Sequence, residues 1–411
     1  MRTLTEIEPR IPISTAPYMI TSPGSYYLTG DLVVTGVLNA IQVQTSHVDI
    51  DLNGFSIISQ GAEPGVDGIL QFTSASGLRI RNGHFRGWTR DGYYAIYGLG
   101  RDVVVEHVRI TDCDSGIFVR TNLVVRNSEI VQCHATGEGY GIHADAALTV
   151  DACIIAENSA QGNYIAIEGG TGSHIRNSLI RANTGAVGFR GVSLNSGSIV
   201  QSTVVEGNSG DGVVRAFALN ESRAVNCMAE GNSSGLDVWG FRLDGSSAVG
   251  CSAVRQTGTR NVYGMELLSG SDALQCSVLH TGWGSTNGVG YRLLSSTVRD
   301  STSEGNTSYG IALAGNSVAL GNTIRSHLGA NRSAIHLFGS RNVADGNTLI
   351  NNSEGIAFVN PEASGNLVIR TRFFSSPPQA PGDNTFGEML LITPGYLTNA
   401  ASLNPHVNLR Y

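Results

Sequence analysis

Lysine is absent from this sequence of 411 residues, so every one of its 26 cationic side chains is an arginine. The chain therefore cannot form a Schiff base and cannot use a lysine as a general base. Its net charge is −7 and it has no basic run, so we expect no nucleic-acid partner. No apolar run approaches the length of a membrane span, so we expect no spanning segment either.

Cysteine is scarce, with six residues, and no two of them form a CxxC pair of the kind that binds zinc. Cys227, Cys251 and Cys276 follow one another at intervals of 24 and 25 residues, which places them in one column of a repeat. We expect these thiols to be buried and reduced. Asp112 and Asp114 are the best carboxylate pair for calcium, but two carboxylates fall short of a calcium cage, so we expect no metal and no other cofactor.

Glycine, in contrast, is abundant, with 52 residues, and it punctuates a unit of about 24 residues that recurs along the chain. Residues 216–227 and 240–251 align without a gap. Because a unit this short cannot bury its apolar face alone, successive units must stack into a solenoid. Each unit is marked by a small residue before an apolar one, at Gly68-Ile69, Ala95-Ile96, Gly116-Ile117, Gly141-Ile142, Ala166-Ile167, Gly191-Val192, Ala216-Phe217, Gly240-Phe241, Gly264-Met265, Gly290-Tyr291, Gly310-Ile311, Ala334-Ile335 and Gly355-Ile356.

Apolar and polar residues alternate within each unit, which is typical of strands, and no helical apolar face persists. We therefore predict an all-β fold, a single-stranded right-handed parallel β-helix of about 13 coils, capped at both ends. Its internal stack would contain Ile69, Ile117, Ile142, Phe241 and Ile311. A column of asparagines would satisfy backbone groups at a tight turn. Its members are Asn158, Asn183, Asn208 and Asn232.

Three segments of the sequence resemble a known family. They are the opening PGSYYLTGDL with AIQVQTSHVDIDLNGFSI, the following IRNGHFRGW, and the closing NPHVNLRY. They resemble bacterial right-handed β-helix repeat proteins with a pectate-lyase-like fold, and the resemblance covers nearly the whole chain. It implies the fold and an exported protein, either secreted, periplasmic or at the cell surface, and it brings no catalytic motif. The first residues show no signal-peptide pattern.

The composition suggests three segments. Residues 1–60 would be a lead-in with cap strands, residues 61–372 the β-helix, and residues 373–411 a proline-rich tail that caps the last coil. Two insertions, at residues 87–94 and 280–288, break the alternation and carry Trp88 and Trp283. We expect both to project as loops, where binding residues often lie.

The repeat also predicts which side chains point outward. Taking the small residue as the first of its strand, the residues two and four positions later face solvent. Over the central coils these rows, with the turn just before the strand, collect charged and aromatic residues on one face. The candidate catalytic residues are His143, Asp145 and Glu168; the candidate substrate-binding residues are Arg120, Arg190, Arg215, Trp239, Arg242, Asp244, Tyr263, Glu266 and Arg292.

Aromatic rings beside paired charges suit a polysaccharide, because rings cover sugar faces while arginines and carboxylates bind hydroxyl or uronate groups. Asp145 and Glu168 would lie roughly 8 Å apart between backbone positions. That spacing is compatible with an inverting glycoside hydrolase, in which Asp145, next to Arg120, serves as base and Glu168 as acid. In a polysaccharide lyase, His143 or an arginine such as Arg190 would instead remove a proton next to a uronate.

Two other interpretations compete with an enzyme. The same face could serve a carbohydrate-binding or adhesion protein that performs no chemistry. Alternatively, Arg120 beside Asp145, and Glu266 between Arg242 and Arg292, could be cross-strand ion pairs in a purely structural solenoid. The sequence leaves open which of the three functions applies, which glycan is the partner, and whether the protein forms an oligomer.

Overall fold

Alternating short strands and glycine-rich turns build a parallel β-solenoid in the computed structural model. It describes residues 10–36, 38–61, 66–89, 92–282, 284–285, 287–328, 332–358 and 365–374, and the backbone of three short strands beyond them. These residues form about 14 turns and contain no helix, close to the predicted 13 coils. The chain divides into two units, residues 1–212 (unit 1) and residues 213–411 (unit 2).

Each turn of the solenoid contributes strands to three parallel ladders. We call them the site ladder, the second ladder and the third ladder. In unit 1 the site ladder contains Tyr18–Ile20, Ile41–Val43, Ile69–Gln71, Tyr94–Thr111, Ser115–Arg126, Gly139–Asp151, Asn163–Thr171 and Gly188–Leu194. Three of these strands are long enough to bend into the second ladder, and one of them reaches the third.

The other two ladders of unit 1 form the remaining walls of the coil. The second ladder adds Ile11–Ile13, Gly24–Leu28, Val48–Asp51, Ser76–Arg86, His174–Arg176 and Ile199–Gln201. The third adds Leu32–Val34, Ser56–Ser59, Glu129–Val131, Ile154–Ala156, Leu179–Arg181 and Val204–Glu206. Two-residue strands His134–Ala135, Ser159–Ala160, Thr184–Gly185 and Ser209–Gly210 pair at the turn before the site ladder.

Unit 2 repeats this plan. Its site ladder contains Val213–Asn220, Asp237–Asp244, Asn261–Leu268, Asn287–Leu294, Tyr309–Ala314, Ser333–Leu337 and Glu354–Phe358. Its second ladder contains Arg223–Val225, Ser247–Val249, Asp272–Leu274, Thr297–Arg299, Val318–Leu320, Val343–Asp345, Leu367–Ile369 and Thr385–Phe386. Its third contains Met228–Glu230, Ser252–Val254, Ser277–Leu279, Thr302–Glu304, Thr323–Arg325, Thr348–Ile350, Arg372–Phe374, Met389–Leu391 and Asn408–Arg410, and Ser233–Ser234 pairs with Thr257–Gly258.

The strand register confirms the repeat. Ile117 pairs with Ile142 in unit 1, and Phe217 pairs with Phe241 in unit 2, where the two rings stack 4.6 Å apart. These side chains are fully buried, as are Ile69 and Ile311. Each coil thus covers the apolar face of the next, which is the largest stabilising contribution available to a unit this short.

Each repeat begins with a small residue because the backbone of the neighbouring strand approaches closely at that position. A Cβ at Gly116 would collide with the carbonyl oxygen of Gly141 in the next coil, and a Cβ at Gly141 would collide with that of Ala166. At these two positions glycine, which has no Cβ, leaves room for the close approach of the neighbouring strand.

The asparagine column forms the predicted internal ladder. In unit 1 the Asn158 Nδ2 donates to Asn183 Oδ1 at 2.8 Å, and Asn183 Nδ2 donates to Asn208 Oδ1 at 2.9 Å. The same amides donate to the carbonyl oxygens of Ile130 and Ile155, which are buried in strands of the third ladder. The column therefore pairs backbone groups that the turn would otherwise leave buried and unsatisfied.

All six cysteines lie in the described residues, where they are buried thiols and not disulfides. Burial raises the pKa of Cys153 to about 11, which keeps it in the poorly reactive protonated form. We expect a thiol reagent to label the native protein at least about 100-fold more slowly than the unfolded protein, because labelling requires an opening of the coil. Rapid labelling of all six, or three bridges in non-reducing mass spectrometry, would contradict this.

A histidine replaces asparagine at one position of the turn column. The His327 ring is fully buried, with Nδ1 3.0 Å from Asn352 Oδ1 and Nε2 3.3 Å from Asn306 Nδ2. An amide nitrogen can only donate, so Nε2 accepts and the ring is neutral. Burial is the main cause that lowers the pKa of His327 to about 4.

This histidine predicts a loss of stability in acid. The unfolded state binds a proton near the usual pKa of 6.5 and the folded state only near 4, so stability falls as the pH drops between these values. Between pH 7 and pH 4.5 we expect wild type to lose about 2 kcal/mol more than His327→Asn, measured by urea denaturation. The control is the same substitution at exposed His174. An identical pH dependence for wild type and His327→Asn would contradict the assignment.

The sequence predicts projecting loops at Trp88 and Trp283 and a cap formed by residues 373–411. Trp88 does not project: it is buried against Phe85, with 6.3 Å between the ring centroids, because a large indole gains more from burial than from exposure. Trp283 lies outside the described residues, as does the proline-rich segment 375–384. Parallel pairing already begins at Ile11, and the segment boundaries near residues 60 and 372 stay predictions.

Candidate functional site

The outward row that the repeat predicts is present in both units. In unit 1, Tyr97, Phe118, His143, Glu168 and Ser193 occupy equivalent positions on successive strands of the site ladder. In unit 2 the same row reads Ala218, Arg242, Glu266, Arg292, Ala312 and His336. These rows bring together side chains that are about 24 residues apart in sequence, since one coil separates neighbours.

His143 is the centre of a group of ionisable side chains in unit 1. Its Nε2 lies 3.5 Å from Asp145 Oδ1 and 3.7 Å from Glu168 Oε2. Its Nδ1 is buried and has no hydrogen-bond partner in the described part of the chain. Nε2 is therefore the nitrogen that meets the carboxylates. We call His143, Asp145 and Glu168 the His143 group.

A row of aromatic rings leads to this group. Tyr94 stacks on Tyr97 with 5.4 Å between centroids, Tyr97 lies 5.1 Å from Phe118, and Phe118 meets the imidazole of His143 edge-on at 5.0 Å. Each ring is partly exposed on the outward side of the site ladder. Neighbouring rings at this spacing form a half-buried apolar surface that ends at the ionisable groups.

Tyr140 completes the surroundings of His143. Its ring stacks on the imidazole at 5.0 Å, and its hydroxyl lies 3.4 Å from Glu138 Oε2. Burial, followed by the charges of Glu168 and Glu138, raises the pKa of Tyr140, while the charge of Arg190 acts in the opposite direction. The phenol therefore stays protonated at neutral pH, and Arg190 is near enough to affect it.

Arg120 has the position that the sequence predicts but not the predicted contact. Within the described residues Arg120 makes no ion pair with Asp145, whose partner is His143 instead. The position of Asp145 one coil from Arg120 follows from the register, in which Thr121 pairs with Ala146. A long arginine side chain on the outward face of a strand can turn away, so register alone does not make a contact.

In unit 2 the candidate residues surround Glu266, whose side chain is only 4% exposed. Its Oε2 accepts from Trp239 Nε1 at 2.8 Å and from Arg242 Nε at 3.2 Å, and its Oε1 pairs with Arg292. Two guanidinium groups and an indole N–H thus share one buried carboxylate. The predicted alternation of Arg242, Glu266 and Arg292 therefore forms real cross-strand ion pairs.

The remaining candidates of unit 2 lie around this cluster. Arg215 lies over the Trp239 ring at 5.2 Å, and Arg292 lies over Tyr263 at 5.3 Å. Burial raises the pKa of Tyr263, although the charge of Arg292 opposes the shift. Asp244 sits beside the cluster, on the strand of Arg242.

Sequence reasoning missed several aromatic residues of these surfaces. Tyr97 and Phe118 were visible in the same outward row, but they precede the ionisable positions and were not selected. Tyr309, just before the small residue of its strand, and Phe338, at the end of the next coil's outward row, lie with 5.7 Å between their centroids in unit 2. The signal that finds them is the aromatic residues at the turn and outward positions of neighbouring coils, taken together.

Neither a metal site nor a membrane helix is found in the part of the chain that the structure describes. Its His, Cys, Asp and Glu side chains form no group of three placed to hold a metal ion. Asp114, a member of the best calcium pair, instead accepts hydrogen bonds from the backbone N–H groups of Gly92 and Thr136. No described helix is long and apolar enough to cross a membrane.

Comparison with solved structures identifies the fold. A mutant of the tailspike protein of E. coli bacteriophage HK620, in complex with a pentasaccharide, matches with a TM-score of 0.51 and 12% identity, over 86% of this chain and 72% of the tailspike chain. The fold is that of a parallel β-helix protein. The A-module of the Azotobacter vinelandii mannuronan C-5 epimerase AlgE6 covers 87% of this chain and 91% of its own, with 15% identity, but its TM-score of 0.37 supports no inference. No protein-family model and no curated protein matches the sequence.

Proposed function

We propose that the protein acts on a polysaccharide that lies along the outward side of the site ladder of unit 1. The observation that carries this proposal is the His143 group at the end of the row Tyr94, Tyr97 and Phe118. Aromatic rings cover the apolar faces of sugars, and the adjacent imidazole and carboxylates are groups that transfer protons near neutral pH. The pentasaccharide complex of the tailspike supports a glycan as ligand of this fold.

The chemistry that fits the His143 group best is that of a lyase acting on a uronate chain. A base removes the proton on C5, the C4=C5 double bond forms, and the C4–O4 bond breaks as the leaving oxygen takes a proton from an acid. His143 Nε2, the imidazole nitrogen on the side of the two carboxylates, would accept the C5 proton, and the imidazolium would then lie between Asp145 and Glu168. Arg190, near enough to affect Tyr140, would neutralise the uronate carboxylate.

An inverting hydrolase fits less well. Asp145 and Glu168 both approach the same imidazole nitrogen, so their nearest oxygens are at most about 7 Å apart. A hydrolase of this kind holds its water and the scissile bond between the two carboxyl groups. Here His143 occupies that space, which favours proton abstraction by the imidazole over attack by water.

A panel of polysaccharides with two readouts tests the proposal. Purified protein is incubated with acidic and neutral polysaccharides, and both the new reducing ends and the ultraviolet absorbance of the C4=C5 double bond are measured. We expect cleavage of a uronate polymer with both signals. Reducing ends without the double bond would indicate the hydrolase instead. Binding without either signal would indicate a carbohydrate-binding protein, and neither binding nor cleavage would leave a structural solenoid.

The location follows from the same proposal. Uronate polysaccharides are extracellular polymers, which agrees with the exported location that the sequence resemblance implies. We therefore propose a secreted, periplasmic or cell-surface protein.

A further inference from the structure

A groove opens on the outward side of the site ladder of unit 2, away from any group used in the proposed chemistry. It encloses about 300 Å³ and is lined by Tyr263, Val289, Arg292, Tyr309, Ala312 and Phe338. This volume is at the low end for ligand pockets and suits a single sugar ring better than an extended chain.

The floor and one corner of the groove are apolar. Val289 and Ala312 are buried beneath it and pack with Tyr263. The rings of Tyr309 and Phe338 meet at an angle of 82°, which gives the groove two aromatic walls. Phe338 is nevertheless 43% exposed. An exposed aromatic ring beside a formed groove marks a surface that a ligand covers.

The opposite wall carries positive charge. Arg292 lines the groove, and its side chain is 44% exposed although it pairs with Glu266. Arg242 pairs with the same carboxylate, so two guanidinium groups share one negative charge. The charges of Arg242, Glu266 and Arg292 alone sum to +1, and Asp244 lies further along the strand of Arg242. The groove therefore attracts an anion that can reach the Arg292 guanidinium.

A buried polar atom behind the aromatic walls is unsatisfied. The His336 ring lies 4.0 Å from Tyr309 and 4.2 Å from Phe338, with Nδ1 3.1 Å from Ser333 Oγ. Burial lowers the pKa of His336 to about 4, so the ring is neutral at pH 7. Its Nε2 is buried and has no hydrogen-bond partner among the described residues. His336 does not line the groove, so it supports the two aromatic walls from behind and is not assigned to the ligand.

We propose that this groove is a binding subsite for an acidic sugar, a pyranose ring that carries a carboxylate. The apolar face of the ring would pack on Phe338 and Tyr309, and its carboxylate would bind Arg292. This goes beyond the function proposed above, because it concerns unit 2, needs no chemical step and holds whether or not the His143 group is catalytic.

Calorimetric titration with two tetrasaccharides tests the subsite. The probes are tetragalacturonate and neutral cellotetraose, added to the full-length chain with Glu168→Gln, which should slow any cleavage by a factor on the order of 100 or more. We expect tetragalacturonate to bind at least about 10-fold more tightly than cellotetraose. Phe338→Ala and Arg292→Gln should each weaken its binding by at least about 10-fold, and Leu328→Ala, at a more exposed apolar residue outside the groove, should not.

Two outcomes would overturn the subsite. One is equal affinity for both tetrasaccharides, and the other is unchanged tetragalacturonate binding in both groove variants. Arg292→Gln leaves Glu266 paired with Arg242 and Trp239, so we expect both variants to fold, which circular dichroism checks. Phe118→Ala separates the two proposals, since it should reduce binding at unit 1 and leave binding at the groove intact. Failure of the panel assay would contradict only the proposed chemistry.

Discussion

Glu168→Gln and Asp145→Asn are each expected to lower the rate of polysaccharide cleavage by a factor on the order of 100 or more. Both carboxylates lie within 4 Å of His143 Nε2, where their negative charges would pair with the imidazolium that forms when the ring accepts a proton. The amides keep the shape of the side chains and remove the charge. Initial rates on the polysaccharide selected by the panel measure the effect, and His143→Gln should reduce the rate at least as much.

Folding should be nearly unchanged in these variants, because outward and partly exposed pairs contribute no more than about 1 kcal/mol. The matched control is Glu157→Gln, which changes an exposed carboxylate that pairs with Gln132 outside the site ladder. It should keep full activity. If Glu168→Gln and Asp145→Asn both fold and cleave at the wild-type rate, the His143 group is not the site.

Asn183→Ala is expected to lower the free energy of unfolding by about 3 kcal/mol or more. The amide of Asn183 donates to Ile155 O and Asn208 Oδ1, and its oxygen accepts from both the backbone and the side chain of Asn158. Alanine leaves these buried groups without partners in neighbouring coils. Each unsatisfied group costs about 1–3 kcal/mol, and the loss is therefore larger than that of a surface asparagine.

Denaturant unfolding of the two proteins, followed by circular dichroism, measures this loss. The control is Asn195→Ala, which removes an exposed asparagine in the same unit and should change stability by less than about 0.5 kcal/mol. Equal midpoints for Asn183→Ala and Asn195→Ala would show that the internal column does not hold the coils together.

The period of the sequence predicts the fold well because it fixes which residues stack. A spacing of about 24 residues places Ile117 on Ile142 and His143 on Glu168, and the structure has both pairs in register. The alternation within each strand then separates the buried row from the outward row. For this reason the two candidate surfaces were predictable as sets of residues, coil by coil.

Contacts within those surfaces depend on side-chain conformation, which the period does not determine. Register puts Asp145 beside Arg120, yet the carboxylate meets His143, two residues earlier on its own strand. Trp88 shows the same limit, because a break in alternation indicates an insertion without telling which way its indole turns. The groove beside Phe338 could not be predicted from the period either, because its shape depends on the conformations of side chains from several coils.

Hydrogen exchange with bound saccharide tests most directly whether the outward side of unit 1 is the site. The Glu168→Gln variant is saturated with an oligosaccharide of the polysaccharide that the panel selects, and exchange is followed by mass spectrometry. We predict slower exchange in the site-ladder segments that carry Tyr97, Phe118 and His143, with no change in the third-ladder strand Leu179–Arg181. Unchanged exchange in those three segments, with the saccharide bound, would contradict the account.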